Sequence, residues 1–337
     1  MHLATDPSGP DRRQAVEGRL AHALRGGITA VRDMAGDARA LADLSRAALV
    51  GDIESPAIYY AALLSGPGFF DDPRVQVSSR GLTTGSAPWA LAVTDSTILP
   101  LAVAAARGAG ATGIKLYAEV PPALIARIVT EAHRQGLKVW SHATLVPAVP
   151  MDAVRGGVDV LSHAAQILWE VQRLPDFRQR MNADYATAKP DDPKFAALFG
   201  EMARRGTALD ATLYVFRQRE DGLAFAAGVV RRAHAAGVPI LAGTDAIGAP
   251  ADGPLPHLHD ELELLVTRAG LTPLAALTAA TSAPAKALGI DATHGTIAVG
   301  KAADFVVLSA DPSADIRNTR QIEATYRAGR RYEPAAR

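Results

Sequence analysis

Four polar side chains stand at the ends of otherwise apolar segments, where they could act together on one ligand. The segments are IKLY, WSHA, LSHA and AGTDA, and the side chains are Lys115, His142, His163 and Asp245. Burying any one of these groups without a partner is costly, so four at equivalent positions indicate a shared partner. A divalent metal is the simplest one, because imidazole and carboxylate suit zinc, manganese or cobalt. The chain contains no Cys, which argues against a structural zinc site.

Structural explanations compete with this interpretation. A single His at the end of a strand more often makes structural hydrogen bonds than binds a metal, and Lys115 could extend its ammonium to solvent. Two His and an Asp at matching positions favour the metal site instead. The His residues that are interpreted as structural are His22, His133, His234 and His294.

Alternating segments predict the scaffold that positions these residues. Short β-branched strands follow helices that end at or near Gly, and the strands are predicted at 26–34, 111–117, 137–143, 158–164, 207–215 and 238–246. Such alternation indicates βα units and a parallel sheet. The prediction is an α/β fold with a (β/α)8 TIM-like barrel over residues 1–290, in which function lies at the carboxyl ends of the strands. An open doubly wound sheet is disfavoured, because no Gly-rich phosphate turn follows the first strand.

Two further regions lack this regular alternation of strands and helices. Residues 291–337 contain strand and turn segments without helices, which predicts a small and incomplete β-sandwich appendage. The irregular stretch 166–193 predicts a long loop over the barrel mouth.

Composition excludes several classes of protein. The 337 residues include 35 Lys and Arg against 35 Asp and Glu, and this balance argues against a nucleic-acid binder. No apolar run approaches the roughly 18 residues of a membrane span, and the first residues do not form a signal peptide. We therefore expect a cytoplasmic protein with a small-molecule substrate. The sequence leaves a homo-oligomer open.

The quoted segments resemble the metal-dependent amidohydrolase superfamily. IKLY, WSHA, LSHA and AGTDA are similar to the ends of its fourth, fifth, sixth and eighth strands. The stretch from HDELELLV to LSADP closely resembles the end of its imidazolonepropionase-like and prolidase-like branch. The resemblance implies two divalent metal ions, with zinc expected first and manganese or cobalt as alternatives. It implies a CO2-derived carbamate on Lys115 that bridges them, His142 and His163 on the second metal, and Asp245 on the first.

The same resemblance extends to the first residues of the chain. MHL is similar to the end of a His-x-His-Leu motif on the first strand, which makes His2 a metal ligand and predicts that a preceding His and upstream strands are missing. Alternatively, Met1 is the true start and His2 is only a terminal residue. If upstream strands are missing, the appendage strands lack partners, and poor solubility is expected.

The family mechanism implies hydrolysis of an amide or cyclic amide by a hydroxide between two metals, with Asp245 as general base and then general acid. Tyr117, Tyr214 and His259 are candidate substrate-binding residues, and Arg217 could hold a substrate carboxylate. A dipeptide or an N-acyl amino acid is the expected substrate. The alternatives are a cyclic amide or lactone hydrolase, and an inactive, metal-poor barrel that serves as a binding scaffold.

Overall fold

The computed structural model describes residues 13–173, 176–179, 182–245, 253 and 255–334. His2 lies outside the described residues. Strands and helices alternate along most of the chain. The strands are β1 Ala30–Asp33, β2 Ala57–Ser65, β3 Ser86–Ala87, β4 Ala90–Ala92, β5 Gly113–Leu116, β6 Lys138–His142, β7 Val160–Ser162, β8 Ala208–Asp210, β9 Ile240–Leu241, β10 Phe305–Leu308, β11 Ile322–Arg327 and β12 Arg330–Tyr332. The helices are α1 Arg13–Arg25, α2 Ala38–Val50, α3 Pro73–Ser78, α4 Leu99–Gly108, α5 Pro122–Arg134, α6 Pro150–Gly156, α7 Pro193–Arg205, α8 Glu220–Ala235, α9 Leu258–Thr267, α10 Pro273–Ala280 and α11 Ser282–Leu288.

Parallel strands with intervening helices form the main body. β1 pairs with β2, and the sheet continues through β5, β6, β7 and β8 to β9, all in parallel. β3 and β4 form a short antiparallel hairpin, and β4 pairs in parallel with the end of β2. This arrangement confirms the predicted α/β barrel class. In the part of the chain that the structure describes, β1 pairs only with β2 and β9 pairs only with β8.

The helices begin and end where local chemistry favours it. The Asp192 side chain accepts a hydrogen bond from the Lys194 N–H at the start of α7, and Pro193 occupies the first turn. Gly206 ends this helix with φ of 74°, a left-handed conformation that a side chain disfavours. The Gly206 cap agrees with the expectation that helices of this chain end at or near Gly.

Sequence patterns missed or overextended several strands. The apolar stretch that forms β2 was not predicted, since such a run fits a buried strand or a buried helix equally well. β8 is shorter than the predicted 207–215, because the chain turns into a 3-10 helix at Leu213–Phe216. Residues 296–304, within the stretch expected to contain strands and turns, form turns and irregular backbone.

The barrel interior is filled around one large side chain. Trp140 on β6 is fully buried and packs with Ala61, Val160, Ala208 and Leu241, which come from other strands of the sheet. Its indole Nε1 donates to the Ala287 carbonyl of α11 at 3.1 Å. A Cβ at Gly113 on β5 would lie 2.6 Å from the indole, so this glycine makes room for Trp140.

The C-terminal strands form a separate antiparallel sheet in the order β10–β11–β12. Within the described residues this is a single three-stranded sheet, which confirms the predicted small β appendage. Just before β11, Arg320 makes ion pairs of 2.8 Å with Asp260 and Glu263 of α9. The Arg327 guanidinium donates to the Ala48 carbonyl of α2. These contacts fasten the appendage to the barrel helices.

No described helix has the length and hydrophobicity needed to cross a membrane.

Candidate active site

Three of the predicted metal ligands lie at the carboxyl ends of the parallel strands, where they approach one another in pairs. His142 ends β6, His163 follows β7, and the two strands pair in parallel register. Their ring centroids are 5.1 Å apart. His163 Nε2 lies 3.6 Å from Asp245 Oδ2, just beyond β9. His142 and His163 are buried, and so is Lys115 on β5.

Hydrogen bonds orient the His163 ring. Its Nδ1 lies 2.9 Å from the Thr212 hydroxyl oxygen, and that hydroxyl donates its own proton to the Ala211 carbonyl at 2.8 Å. When this hydroxyl gives its one proton to Ala211, Nδ1 is the protonated nitrogen and the Nε2 lone pair faces Asp245. Burial lowers the pKa of His163, whereas the negative charges of Asp245 and Asp210 act to raise it. A neutral imidazole with its Nε2 lone pair facing a carboxylate is an arrangement that a cation satisfies.

His142 and Lys115 adjoin this pair. The Thr144 backbone N–H donates to His142 Nδ1 at 3.1 Å. The Tyr117 ring centroid is 4.3 Å from that of His142, and Lys115 Nζ is 4.9 Å from the Tyr117 centroid. The charge of Lys115 also lowers the pKa of His163. The structure thus places Lys115, His142, His163 and Tyr117 in one neighbourhood.

The donor chemistry fits a divalent metal ion, because buried imidazoles and a carboxylate are its ordinary ligands. Within the described ranges, no three His, Cys, Asp or Glu side chains converge closely enough to hold a metal. The structure therefore brings the His and Asp donors together in pairs. The two-metal centre, the zinc and the Lys115 carbamate stay predictions.

Tyr214 lies in the 3-10 helix Leu213–Phe216, which follows β8. Its ring stacks on His257 with centroids 4.3 Å apart, and the Arg217 guanidinium lies 3.8 Å from the Tyr214 centroid. The carboxylate of Glu261 on α9 accepts the backbone N–H groups of Leu213 at 3.0 Å and Tyr214 at 2.6 Å. Glu261 is fully buried, and burial raises its pKa to about 8. A buried carboxyl on α9 thus holds the Tyr214 loop.

His259 is not brought together with the other predicted residues. It is buried, with Nδ1 3.0 Å from the Thr319 hydroxyl and Nε2 3.0 Å from the Gly26 carbonyl. Both ring nitrogens therefore link the barrel to the appendage. This position does not support a contact with substrate, and His259 has no part in the proposed function.

Sequence patterns missed an aromatic cluster beside His142. Phe69, in the 3-10 helix after β2, lies 4.6 Å from Tyr117 between ring centroids, and Phe177 from the predicted mouth loop lies 5.2 Å from Tyr117. A cavity of 240 Å³ adjoins Phe69 and Phe177. A larger cleft of 490 Å³ between α4 and α5 is lined by none of the predicted site residues. No sequence signal connected Phe69 with Phe177, since they are far apart in the chain.

Arg32 and Asp210 were also missed, although a signal existed. Arg32 stands within β1, and Asp210 ends β8 as His142 ends β6. The rule that selected polar residues at strand ends would have selected Asp210 as well. Arg32 Nη2 contacts Asp210 Oδ2 at 3.0 Å inside the barrel.

Comparisons with known proteins agree with this architecture. An imidazolonepropionase of Serratia proteamaculans is 28% identical over 214 residues, which are 63% of this chain and 44% of that protein. The chain thus matches less than half the length of this relative. A crystal structure of a Xaa-Pro dipeptidase with bound methionine has a TM-score of 0.74 at 21% identity, covering 98% of this chain and 84% of that chain. The A. niger ochratoxinase structure has a TM-score of 0.74 at 22% identity, covering 99% and 81%.

The likeness to the two solved structures establishes the fold. The family model described as Amidohydrolase family matches residues 8–331, nearly the whole chain. This family generally uses divalent metal ions. With the barrel, the strand-end donors and this match together, the chain belongs to the amidohydrolase family.

Proposed function

We propose that this protein is a metal-dependent hydrolase of C–N bonds. The observation that carries the proposal is the contact between His163 and Asp245, at 3.6 Å, beside His142 at the carboxyl ends of the parallel strands. In barrels of this class those strand ends are where chemistry takes place. Membership of the amidohydrolase family supports the same reaction type.

Each residue has a distinct role in this proposal. His142 and His163 would hold one divalent metal ion and Asp245 a second, and Lys115 would serve as a carbamate ligand. The bound metal supplies a Lewis acid and lowers the pKa of a water molecule. Asp245 accepts the proton of the attacking water and later delivers it to the leaving nitrogen. Tyr117 and Tyr214, which follow β5 and β8, orient the substrate.

The charged side of the mouth suggests the substrate class. Arg217 is exposed, and its guanidinium lies over the Tyr214 ring, where it can bind a carboxylate. A dipeptide or an N-acyl amino acid carries such a carboxylate next to a C–N bond. A cyclic amide is the second candidate, because the relative from Serratia proteamaculans is an imidazolonepropionase.

Metal analysis and kinetics test the proposal together. We expect the purified chain to hold zinc, manganese or cobalt and to hydrolyse members of a panel of dipeptides, N-acyl amino acids and cyclic amides. Asp245→Asn should lower kcat by about 10²–10⁴-fold if Asp245 transfers the proton. His163→Ala should lose metal, whereas the control His234→Ala, at an exposed position on α8, should keep both metal and activity.

A folded chain that takes up no metal would contradict the hydrolase and favour the binding scaffold. Hydrolysis of cyclic amides without hydrolysis of dipeptides or N-acyl amino acids would select the second substrate class.

A further inference from the structure

The buried carboxylate of Asp210 forms hydrogen bonds with residues next to two of the candidate metal ligands. Asp210, at the end of β8, accepts three hydrogen bonds from three different parts of the barrel. Arg32 Nη2 of β1 donates to Oδ2 at 3.0 Å, the Ser162 hydroxyl of β7 donates to Oδ2 at 3.3 Å, and the Gly243 N–H after β9 donates to Oδ1 at 3.0 Å. Only 10% of the Asp210 side chain is exposed.

Two of these donors adjoin the candidate metal ligands. Ser162 directly precedes His163, and Gly243 lies two residues before Asp245. The Asp210 carboxylate therefore holds the Ser162 side chain and the Gly243 backbone, one on each side of the 3.6 Å contact between His163 Nε2 and Asp245 Oδ2. A shift of either strand end would change that distance directly.

The local backbone shows why such support is needed. Asp245 has φ of 48°, a left-handed conformation that is uncommon for a residue with a side chain and that the surrounding structure must enforce. A Cβ at position 243 would collide with the Asp210 carboxylate. Gly243 is therefore the residue that allows Asp210 to bond the backbone leading to Asp245.

Arg32 supplies the charge that makes a buried Asp210 tolerable. Its side chain is 14% exposed, and its guanidinium lies 4.7 Å from the centroid of Trp140. Burial lowers the pKa of Arg32, and the fields of Asp210 and Asp245 oppose that effect. An unpaired carboxylate at this depth would be strongly unfavourable. Arg32, 178 residues before Asp210 in the chain, therefore acts across the barrel.

We propose that Asp210 and Arg32 form a positioning pair that sets the separation of His163 and Asp245 and thereby the affinity of the site for a divalent metal. Asp210 acts here as a positioning residue, through the hydrogen bonds that it accepts from Arg32, Ser162 and Gly243. The inference rests on the proposed function, because it presumes that His163 and Asp245 bind metal. Groups of this kind around metal ligands typically change metal affinity by about 10–100-fold.

Asp159 provides a matched control at the opposite end of β7. Its carboxylate also accepts three hydrogen bonds, from His133 Nε2 at 2.8 Å, Lys138 Nζ at 2.9 Å and the Val139 N–H at 2.8 Å, and 15% of its side chain is exposed. It precedes β7, whereas the candidate ligands follow the strands. Asp159→Asn therefore disturbs a similar network away from the metal ligands.

The test measures zinc and cobalt affinity of the full-length, metal-depleted chain by competition with a chromophoric chelator, and the visible spectrum of the cobalt form. Asp210→Asn and Arg32→Met should weaken zinc binding about 10–100-fold and change the cobalt spectrum. Arg32→Lys should restore part of the affinity, because it keeps the positive charge. Asp159→Asn should leave affinity and spectrum unchanged, even if its melting temperature falls as much.

Equal affinities and spectra for wild type, Asp210→Asn and Arg32→Met would overturn the positioning pair while leaving the proposed function intact. Equal losses in Asp210→Asn and Asp159→Asn would also overturn it, since they would reflect general destabilisation. If Asp210→Asn does not fold, Arg32→Met against Arg32→Lys decides the question. A wild-type chain without metal affinity would overturn the proposed function and this inference together.

Discussion

Glu261→Gln should change how the stability of this protein depends on pH. Glu261 is fully buried, and burial raises its pKa from 4.5 to about 8 in the folded protein. In the unfolded chain the carboxyl ionises near 4.5, so between these values the folded state holds a proton that the unfolded state releases. The unfolded state binds fewer protons there, and the free energy of unfolding must fall as the pH rises.

The size of this effect follows from the shift in pKa. One pKa unit corresponds to about 1.4 kcal/mol, so the shift from 4.5 to about 8 corresponds to about 5 kcal/mol as an upper bound. The amide introduced by Glu261→Gln does not titrate, and the stability of the variant would lack this slope. The substitution has its own cost, because the amide nitrogen would meet the backbone N–H of Leu213 or Tyr214. Leaving such a donor unpaired costs about 1–3 kcal/mol.

Urea unfolding of both proteins at pH 5, 6, 7, 8 and 9 would measure the difference. We expect wild type to be more stable at pH 5, and the difference in free energy of unfolding to shrink or reverse by pH 8 and then to level off. A difference that stays constant with pH would refute the reasoning. A difference that grows with pH would show that the two N–H groups stabilise the carboxylate more than burial penalises it.

Three further substitutions test the packing of the barrel and the capping of its helices. Trp140→Phe should cost about 2–4 kcal/mol by urea unfolding, because it leaves a cavity and an unpaired Ala287 carbonyl; a cost below about 1 kcal/mol would argue against a tightly packed interior. Gly113→Ala should cost about 1–3 kcal/mol, because its Cβ would lie 2.6 Å from the Trp140 indole; a normal melting temperature would show that the indole can move. Thr272→Ala should cost about 1 kcal/mol, because the Thr272 hydroxyl caps α10 through the Ala275 N–H at 3.2 Å; Thr272→Ser should recover most of that loss.

Much of the scaffold and site was predictable because local rules governed it. Strand ends of a parallel sheet share one edge, so the βα period alone was enough to predict that Lys115, His142 and His163 are neighbours. Helix boundaries followed Pro and Gly, whose backbone preferences are intrinsic to the residue. The prediction failed for β2, because an apolar run has no period that separates a strand from a helix.

Other features were decided by contacts between distant parts of the chain. His259 resembled a residue of the mouth, but its two ring nitrogens bond Gly26 and Thr319, a pairing that depends on how the appendage docks. The position of Phe177 beside Tyr117 depends on the path of a long loop. Neither contact has a repeat or a spacing that a sequence pattern could detect.

The sequence by itself determined which side chains stand at the strand ends, because the local alternation of strands and helices fixes where each strand ends. Only the tertiary structure decided that Arg32 reaches Asp210 across the barrel and that Asp210 bonds Ser162 and Gly243, which adjoin His163 and Asp245 in the chain. The physical reason is that a buried charge takes its partner from whichever strand the order of the sheet brings opposite, and that order is a property of the folded chain.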